Sequence, residues 1–213
     1  MTMKQLSLPL LALFLLSGLA LSQLVAAERG WIPLFNGKDL SGWQAQGAER
    51  WVVEDGAILG ESTTGKYGYL TTGKTYKDFV LRLRFKCETD GNSGVFTRSR
   101  ITGENPKTGP DIEGLQVEVD ATKHTGGIYE SGGRGWVALP TPEGERAIKP
   151  RDWNELEVTA KGGRIVTRLN GVQIVDYNDS APRFAVGVIG LQLHTGGGVK
   201  VRFKDISIRD LSK

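Results

Sequence analysis

One cysteine and two histidines in 213 residues exclude several kinds of protein at once. A lone Cys87 cannot form an internal disulfide, and no pair of cysteines stands at the spacing of a structural zinc site. HxH and HExxH spacings are also missing. No glycine-rich phosphate loop opens a helix, no dinucleotide fingerprint is found, and no serine sits in a nucleophile elbow. Charge of one sign never accumulates. The formal net charge is +3, with basic and acidic residues interspersed, so the clustered basic patch of a nucleic-acid binder is not there. Long helical apolar periods are lacking too. No stretch of eleven or more residues repeats its apolar positions as an amphipathic helix does.

One long hydrophobic run exists, and it is N-terminal. In "MTMKQLSLPLLALFLLSGLALSQLVAA", Lys4 precedes an apolar stretch from Leu6 to Leu21, and Val25-Ala26-Ala27 supplies small residues. This order is that of a secretory signal peptide. Pro9, Ser17 and Gly18 interrupt the run and argue against a retained anchor. A signal peptide is therefore expected over 1–27, with one domain over 28–213. The expected location is exported, periplasmic or extracellular, with no membrane attachment after cleavage.

Glycine is abundant, at 29 residues against 8 prolines, and no tract is of low complexity. Such a composition suits many tight turns between short strands. "WVVEDGAILGE" reads as a hairpin around Asp55-Gly56. "DFVLRLRFKCE" alternates Phe79, Leu81, Leu83 and Phe85 with Arg82, Arg84 and Lys86, as a strand with one wet face does. Cys87 at its end reads as a small half-buried strand residue. "NELEVTAKGGRIVTRLNGVQIVDYND" reads as a three-stranded meander turning at Gly162-Gly163 and Asn170-Gly171. "VGVIGLQLHTGGGVKVRFKDISIRDL" reads as a further strand pair around Gly196-Gly197-Gly198. About ten to twelve strands at this spacing predict an all-β, antiparallel sandwich or barrel. The two ends of the domain are expected to meet in one sheet.

The stretch "GLQVEVD", residues 114–120, is the most informative. Leu115, Val117 and Val119 face one side of a strand, and Gln116, Glu118 and Asp120 face the other. In "GLQLHTGG", Gln192 and His194 share a polar side. In "NSGVFTR", Phe96 and Arg98 lie on the face opposite Val95 and Thr97. Acids, amides, an imidazole and a guanidinium on one sheet face make a groove for a polar ligand, since sugar hydroxyls both donate and accept. His194 is a candidate acid or base near neutral pH. His124 lies in a polar loop and reads as surface. "GGIYESGGRGWVALP" adds Tyr129, Glu130, Arg134 and Trp136 among glycines, either as a ligand-contacting turn or as a hairpin with an aromatic plug. Metal ligation is not indicated by spacing. Glu118, Asp120 and His194 would hold a divalent cation only if they converge.

The segments "LFNGKDLSGW", "GNSGVFTR", "GLQVEVD", "GGIYESGGRG", "WNELEVTAKGGRIVTRLNGVQIVDY" and "GLQLHTGGGVKVRFKDISIRDL" occur in an order that resembles the 3-keto-disaccharide hydrolase-like family. The resemblance spans essentially all of the chain after the signal segment. It implies a concanavalin A-like jelly-roll β-sandwich of two antiparallel sheets with its groove on the concave sheet. It also implies hydrolysis or elimination of glycosides whose sugar carries a ketone at carbon three. The family's GNSGVF-x-R is matched by Gly91 through Phe96 with Arg98, its turn by Tyr129, Glu130 and Arg134, and its GLQxH by Gln192 and His194. Thr195 stands where members usually have glycine. Members also often read Glu-x-Gln where this chain has Gln116-Val117-Glu118.

On that resemblance Glu118 and His194 are the catalytic pair, with base and acid roles interchangeable. Arg98, Gln116, Asp120, Tyr129, Glu130, Arg134 and Gln192 are the substrate-binding set. Arg98, Arg134 or a bound divalent cation would stabilise the oxyanion. A separate sugar 3-oxidoreductase would install the ketone, because this chain lacks a dinucleotide site. An ordinary retaining glycosidase is disfavoured, since Gln116 is an amide where a carboxylate nucleophile would stand. A lectin-like carbohydrate-binding module without turnover is the alternative.

Overall fold

A computed structural model describes residues 30–212, so the expected signal segment lies outside the described residues. In chain order the strands are β1 (Trp31–Pro33), β2 (Trp43–Gln46), β3 (Arg50–Glu54), β4 (Ala57–Glu61) and β5 (Gly68–Thr72). There follow β6 (Phe79–Cys87), β7 (Asn92–Asn105), β8 (Gly109–Asp120), β9 (Ile128–Ser131) and β10 (Gly135–Ala138). A single-turn helix, α1 (Pro142–Glu145), is capped by Thr141. It precedes β11 (Asn154–Lys161), β12 (Arg164–Leu169), β13 (Val172–Asn178), β14 (Val188–Leu193) and β15 (Lys200–Asp210).

These strands form two antiparallel sheets, a jelly-roll sandwich. One runs β13-β12-β11-β6-β15-β4-β3, with β1 joined to β15. The other, seven-stranded, runs β10-β9-β8-β7-β14-β5-β2. The alternation in β6 explains the layering. Phe79, Leu81, Leu83 and Phe85 are 0–1% exposed, while Arg82, Arg84 and Lys86 lie half-buried on the outer face. From the facing sheet come Val95, Val117, Val119, Leu191 and Leu193, all fully buried in the same core. Each such side chain contributes roughly 1.5–3 kcal/mol on burial. A one-residue slip of β8 would exchange those valines for Gln116 and Glu118, so the core fixes which way the polar row points.

The hairpin expected at Asp55-Gly56 joins β3 to β4, with both residues at positive φ (52° and 72°), as a two-residue primed turn requires. The meander is β11-β12-β13. Near the start of the domain, the Leu34 N–H donates to the Ile206 carbonyl on β15 (2.8 Å).

Three expectations need correction. Fifteen strands are present among the described residues, because β1, β2, β9 and β10 are only three or four residues long and too short to show a period. The segments around Gly196–Gly198 are not a pair: β14 belongs to the seven-stranded sheet and β15 to the other, so the glycine turn carries the chain between layers. Cys87 is fully buried rather than half-buried, and burial pushes its thiol up to about 12.

Candidate functional site

The polar face of the seven-stranded sheet is built row by row across its strands. Tyr69 on β5 is opposite Gln192 on β14, Gln192 is opposite Gly94 on β7, and Gly94 is opposite Glu118 on β8. In the next row Phe96 is opposite Gln116, Gln116 opposite Tyr129 on β9, and Tyr129 opposite Trp136 on β10. Over these rows lies a cavity of about 480 Å³ whose lining includes Tyr67, Tyr69, Asn92, Gln116, Glu118, Tyr129, Trp136, Gln192 and His194. Its remaining walls carry Asp111 and Glu113, and among the described residues its lining contains no lysine or arginine.

Gly94 makes the floor possible. A β-carbon there would stand 2.6–2.7 Å from Nε2, Cδ and Cγ of Gln116, so the missing side chain is the space into which Gln116 folds. From that position Gln116 Nε2 donates to Glu118 Oε2 (2.7 Å), and Asn92 Nδ2 donates to Oε1. Glu118 is 3% exposed. Burial pushes its carboxyl up to about 8, the nearby Asp120 adds to the rise, and the two amide donors oppose it. Two further polar atoms on this floor, Asn92 Oδ1 and Gln192 Oε1, are buried acceptors without a partner among the described residues. Such atoms are costly unless a ligand or water satisfies them.

His194 follows β14, with its ring 4.8 Å from that of Tyr67. The Tyr67 hydroxyl lies 3.2 Å from Nε2, and Nδ1 lies 3.1 Å from the Thr195 carbonyl. A carbonyl can only accept, so the proton belongs on Nδ1, and Nε2 is left to accept from Tyr67. The loop that presents Tyr67 is tied to buried Glu49, whose carboxylate accepts from the Thr64 and Lys66 backbone N–H groups (3.0 and 2.9 Å).

Five of the nine residues expected at the site therefore gather in the groove: Gln116, Glu118, Tyr129, Gln192 and His194. The other four do not line it. The register of β7 shifts between Thr97 and Arg100, and Arg98 takes a positive φ of 49° inside that bulge, which turns its side chain out of the groove. Its guanidinium, 5% exposed, donates to the Asp78 carboxylate (2.9 Å), the Gly162 carbonyl (2.6 Å) and the Lys77 carbonyl. Glu130 alternates with Tyr129 along β9 and so points to the opposite side. There it pairs with Arg134, which also grips Asp179, and Arg134 holds the Glu130 carboxyl below its ordinary range. Asp120 turns into its own loop, where Oδ1 accepts from the Thr122 N–H (2.7 Å) and hydroxyl (2.6 Å). Glu118, Asp120 and His194 do not converge: among the described residues, no group of three or more His, Cys, Asp or Glu could hold a metal ion.

His124 is not a free surface residue. Its Nδ1 lies 2.8 Å from Glu145 of α1, and its ring meets Trp136 edge to face at 5.2 Å. Tyr67 and Tyr69 are not among the residues that the sequence pattern points to, and Asn92 enters only as part of the GNSGVF stretch. The alternation in "KYGYL" was the available sign for the two tyrosines.

Comparison with known proteins adds to this geometry. Residues 30–209 match the model of a family described as a 3-keto-alpha-glucoside-1,2-lyase-like domain. A 3-keto-disaccharide hydrolase of Bacteroides thetaiotaomicron is 27% identical over 177 residues, covering 73% of this chain. The match takes in 61% of that relative, so the chain spans about three fifths of its length. Among solved structures, a candidate glycosyl hydrolase of Parabacteroides distasonis is 24% identical with a TM-score of 0.65, over 86% of this chain and 94% of that one. The carbohydrate binding module CBM66 of Bacillus subtilis is 17% identical with a TM-score of 0.59, over 79% and 96%. The two structures share the sandwich fold.

Proposed function

The chain belongs to the 3-keto-alpha-glucoside-1,2-lyase-like family, and from that premise we propose that it cleaves 3-keto-glycosides in the groove of the seven-stranded sheet. The observation that carries this reading is the floor itself: a buried carboxyl pushed up to about 8 and, on the same sheet face, a buried acceptor, Gln192 Oε1, that awaits a hydroxyl donor. A sugar ring supplies such donors. A groove lined, among the described residues, by acids and amides and by no lysine or arginine suits a neutral one.

The ketone at carbon three makes the proton on carbon two acidic. A base removes that proton, the electron pair forms the carbon one–carbon two double bond, and the bond from carbon one to the glycosidic oxygen breaks. The departing oxygen takes a proton from an acid. Water then adds back across the double bond, its hydroxyl to carbon one and its proton to carbon two, giving the free 3-keto sugar. With its carboxyl raised to about 8, Glu118 carries a proton at neutral pH and is suited to the acid role. Protonated, it would donate to Asn92 turned half-way about its amide, which exchanges Oδ1 and Nδ2. His194 Nε2 is suited to the base role once the Tyr67 hydroxyl, which donates to it in the free groove, turns to the substrate oxygen. Since Arg98 and Arg134 lie outside the groove, the developing charge on the carbon-three oxygen falls to neutral donors, the Tyr67 hydroxyl and the amides of Asn92 and Gln192.

The test is release of 4-nitrophenol from 4-nitrophenyl 3-keto-glucoside and from its unoxidised parent. Release from the keto form alone supports the reading, and equal rates on both would overturn it. Binding of both with release from neither would favour a carbohydrate-binding module, the reading to which the likeness to CBM66 lends support.

A further inference from the structure

Trp136 is 41% exposed, whereas Tyr69 and Phe96 in the same sheet face are 3% and 0% exposed. A single exposed aromatic is ordinary on a protein surface. This one is fixed from two sides. Tyr129 meets it at 5.4 Å and 81°, and His124 meets it at 5.2 Å and 70°, so neither ring lies parallel over the indole. The props are themselves anchored. Glu145 accepts from the His124 backbone N–H (2.7 Å) as well as facing its ring, and the turn before Trp136 is clamped by the ion pairs of Arg134. Core packing does not call for a half-exposed indole held this firmly beside a polar cavity.

Its distance from the floor gives it a use. Trp136 stands two strands from Gln116, roughly 10 Å at the ordinary spacing of about 4.8 Å. One sugar ring seated over Glu118 does not reach that far, yet the cavity of about 480 Å³ continues to it. Asp111 and Glu113 in the same lining make its wall acidic.

We propose that Trp136 is the platform on which the leaving group lies, and that the groove selects glycosides with a neutral, ring-bearing aglycone, a second sugar or an aryl group, whose flat apolar face stacks on the indole. This rests on the reading of the floor as the site of glycoside cleavage.

The test uses the methyl, 4-nitrophenyl and 4-linked glucosyl derivatives of 3-keto-glucose as substrates, and their unoxidised parents as ligands in calorimetry. Trp136→Ala is expected to raise KM about tenfold for a ring-bearing substrate, the scale of one lost aromatic contact. The methyl substrate should change at least fivefold less, and Trp136→Phe should recover most of the loss. A response of the glucosyl derivative, the nitrophenyl derivative or both supports the platform and says which ring it takes. An equal KM shift for all three, with the melting temperature unchanged, would overturn it. The two proposals fail separately. Cleavage of all three with unaltered ratios removes the platform and leaves the enzyme. No cleavage, with binding of the ring-bearing parents still weakened in Trp136→Ala, removes the enzyme and leaves the platform. Absence of both binding and cleavage removes both.

Discussion

Gln116 Nε2 donates to Glu118 Oε2 at 2.7 Å, between two residues that are next but one along the same strand. Side chains so placed point the same way and are held roughly 7 Å apart at their backbones. They meet here because Gln116 folds over Gly94 on the neighbouring strand. The acid is therefore bracketed by amides from both β7 and β8, and several consequences can be measured.

Glu118→Gln keeps the size and the amide contacts of Glu118 but removes its titrating proton. Release of aglycone from a 3-keto-glucoside should fall by roughly 10²-fold or more, the scale of a lost general acid or base. Circular dichroism should be unchanged. A fully active Glu118→Gln would leave that residue as lining only.

The raised carboxyl also sets a pH dependence. Glu118 ordinarily titrates near 4.5 and in the fold near 8, so between those values the folded chain holds a proton that the unfolded chain has lost. Its contribution to stability is greatest at low pH, declines as pH rises from about 4.5 to about 8, and is level above. The melting temperature of wild type relative to Glu118→Gln should follow that decline. If Glu118 is the acid, turnover should fall as pH passes about 8. A rate that rises there would exchange its role with that of His194.

His194→Ala should cost about as much activity as Glu118→Gln, because it removes Nε2 from the base position. Tyr67→Phe should cost less, since the imidazole remains while the hydroxyl at 3.2 Å is lost. Steady-state kinetics on one 3-keto substrate compares the three. An unimpaired His194→Ala would remove the imidazole from the mechanism.

Gly94→Ala should act through Gln116. The new methyl would occupy the space of Cγ, Cδ and Nε2, at a cost of about 1–3 kcal/mol of overpacking. Driving Gln116 away also removes a hydrogen bond that lowers the Glu118 titration, so the midpoint of the pH–rate profile should move upward. A profile identical to wild type would show that Gln116 does not tune the acid.

Arg98→Met should behave as a stability variant. It leaves Asp78 without its guanidinium partner and two carbonyls without a donor, a loss of about 3 kcal/mol. Denaturant unfolding should register that loss while KM for a 3-keto substrate stays as in wild type. A raised KM with unchanged stability would place Arg98 back among ligand contacts.

Much of this was legible in the sequence, and the residues show why. Val117 and Val119 had to fill a core, so Gln116 and Glu118 had to face away from it; the same holds for Leu191 and Leu193 beside Gln192. Strict alternation also says that Tyr129 and Glu130 cannot both face a groove, and the structure gives the groove to Tyr129. Alternation fails at Arg98, because one bulge in β7 reverses the side on which a residue emerges. Asn92 and Tyr67 reach the floor from strand ends, and only the pairing of β7 with β8 and of β14 with β5 brings them beside Glu118 and His194. Trp136 lies among glycines, but its props, His124 and Glu145, come from a loop and a single helical turn that carry no period.

Cys87 closes the core at the end of β6, and burial raises its thiol to about 12. A thiol-specific reagent reacts with the thiolate, so in the folded chain it meets neither an accessible nor an ionised sulfur. Labelling then waits for the two layers to part. With a single cysteine in the sequence, the rate at which the chain takes up such a reagent becomes a built-in clock for the opening of the sandwich. Ligands seated in the groove on the other layer should slow that clock in proportion to how tightly they hold the sheet closed.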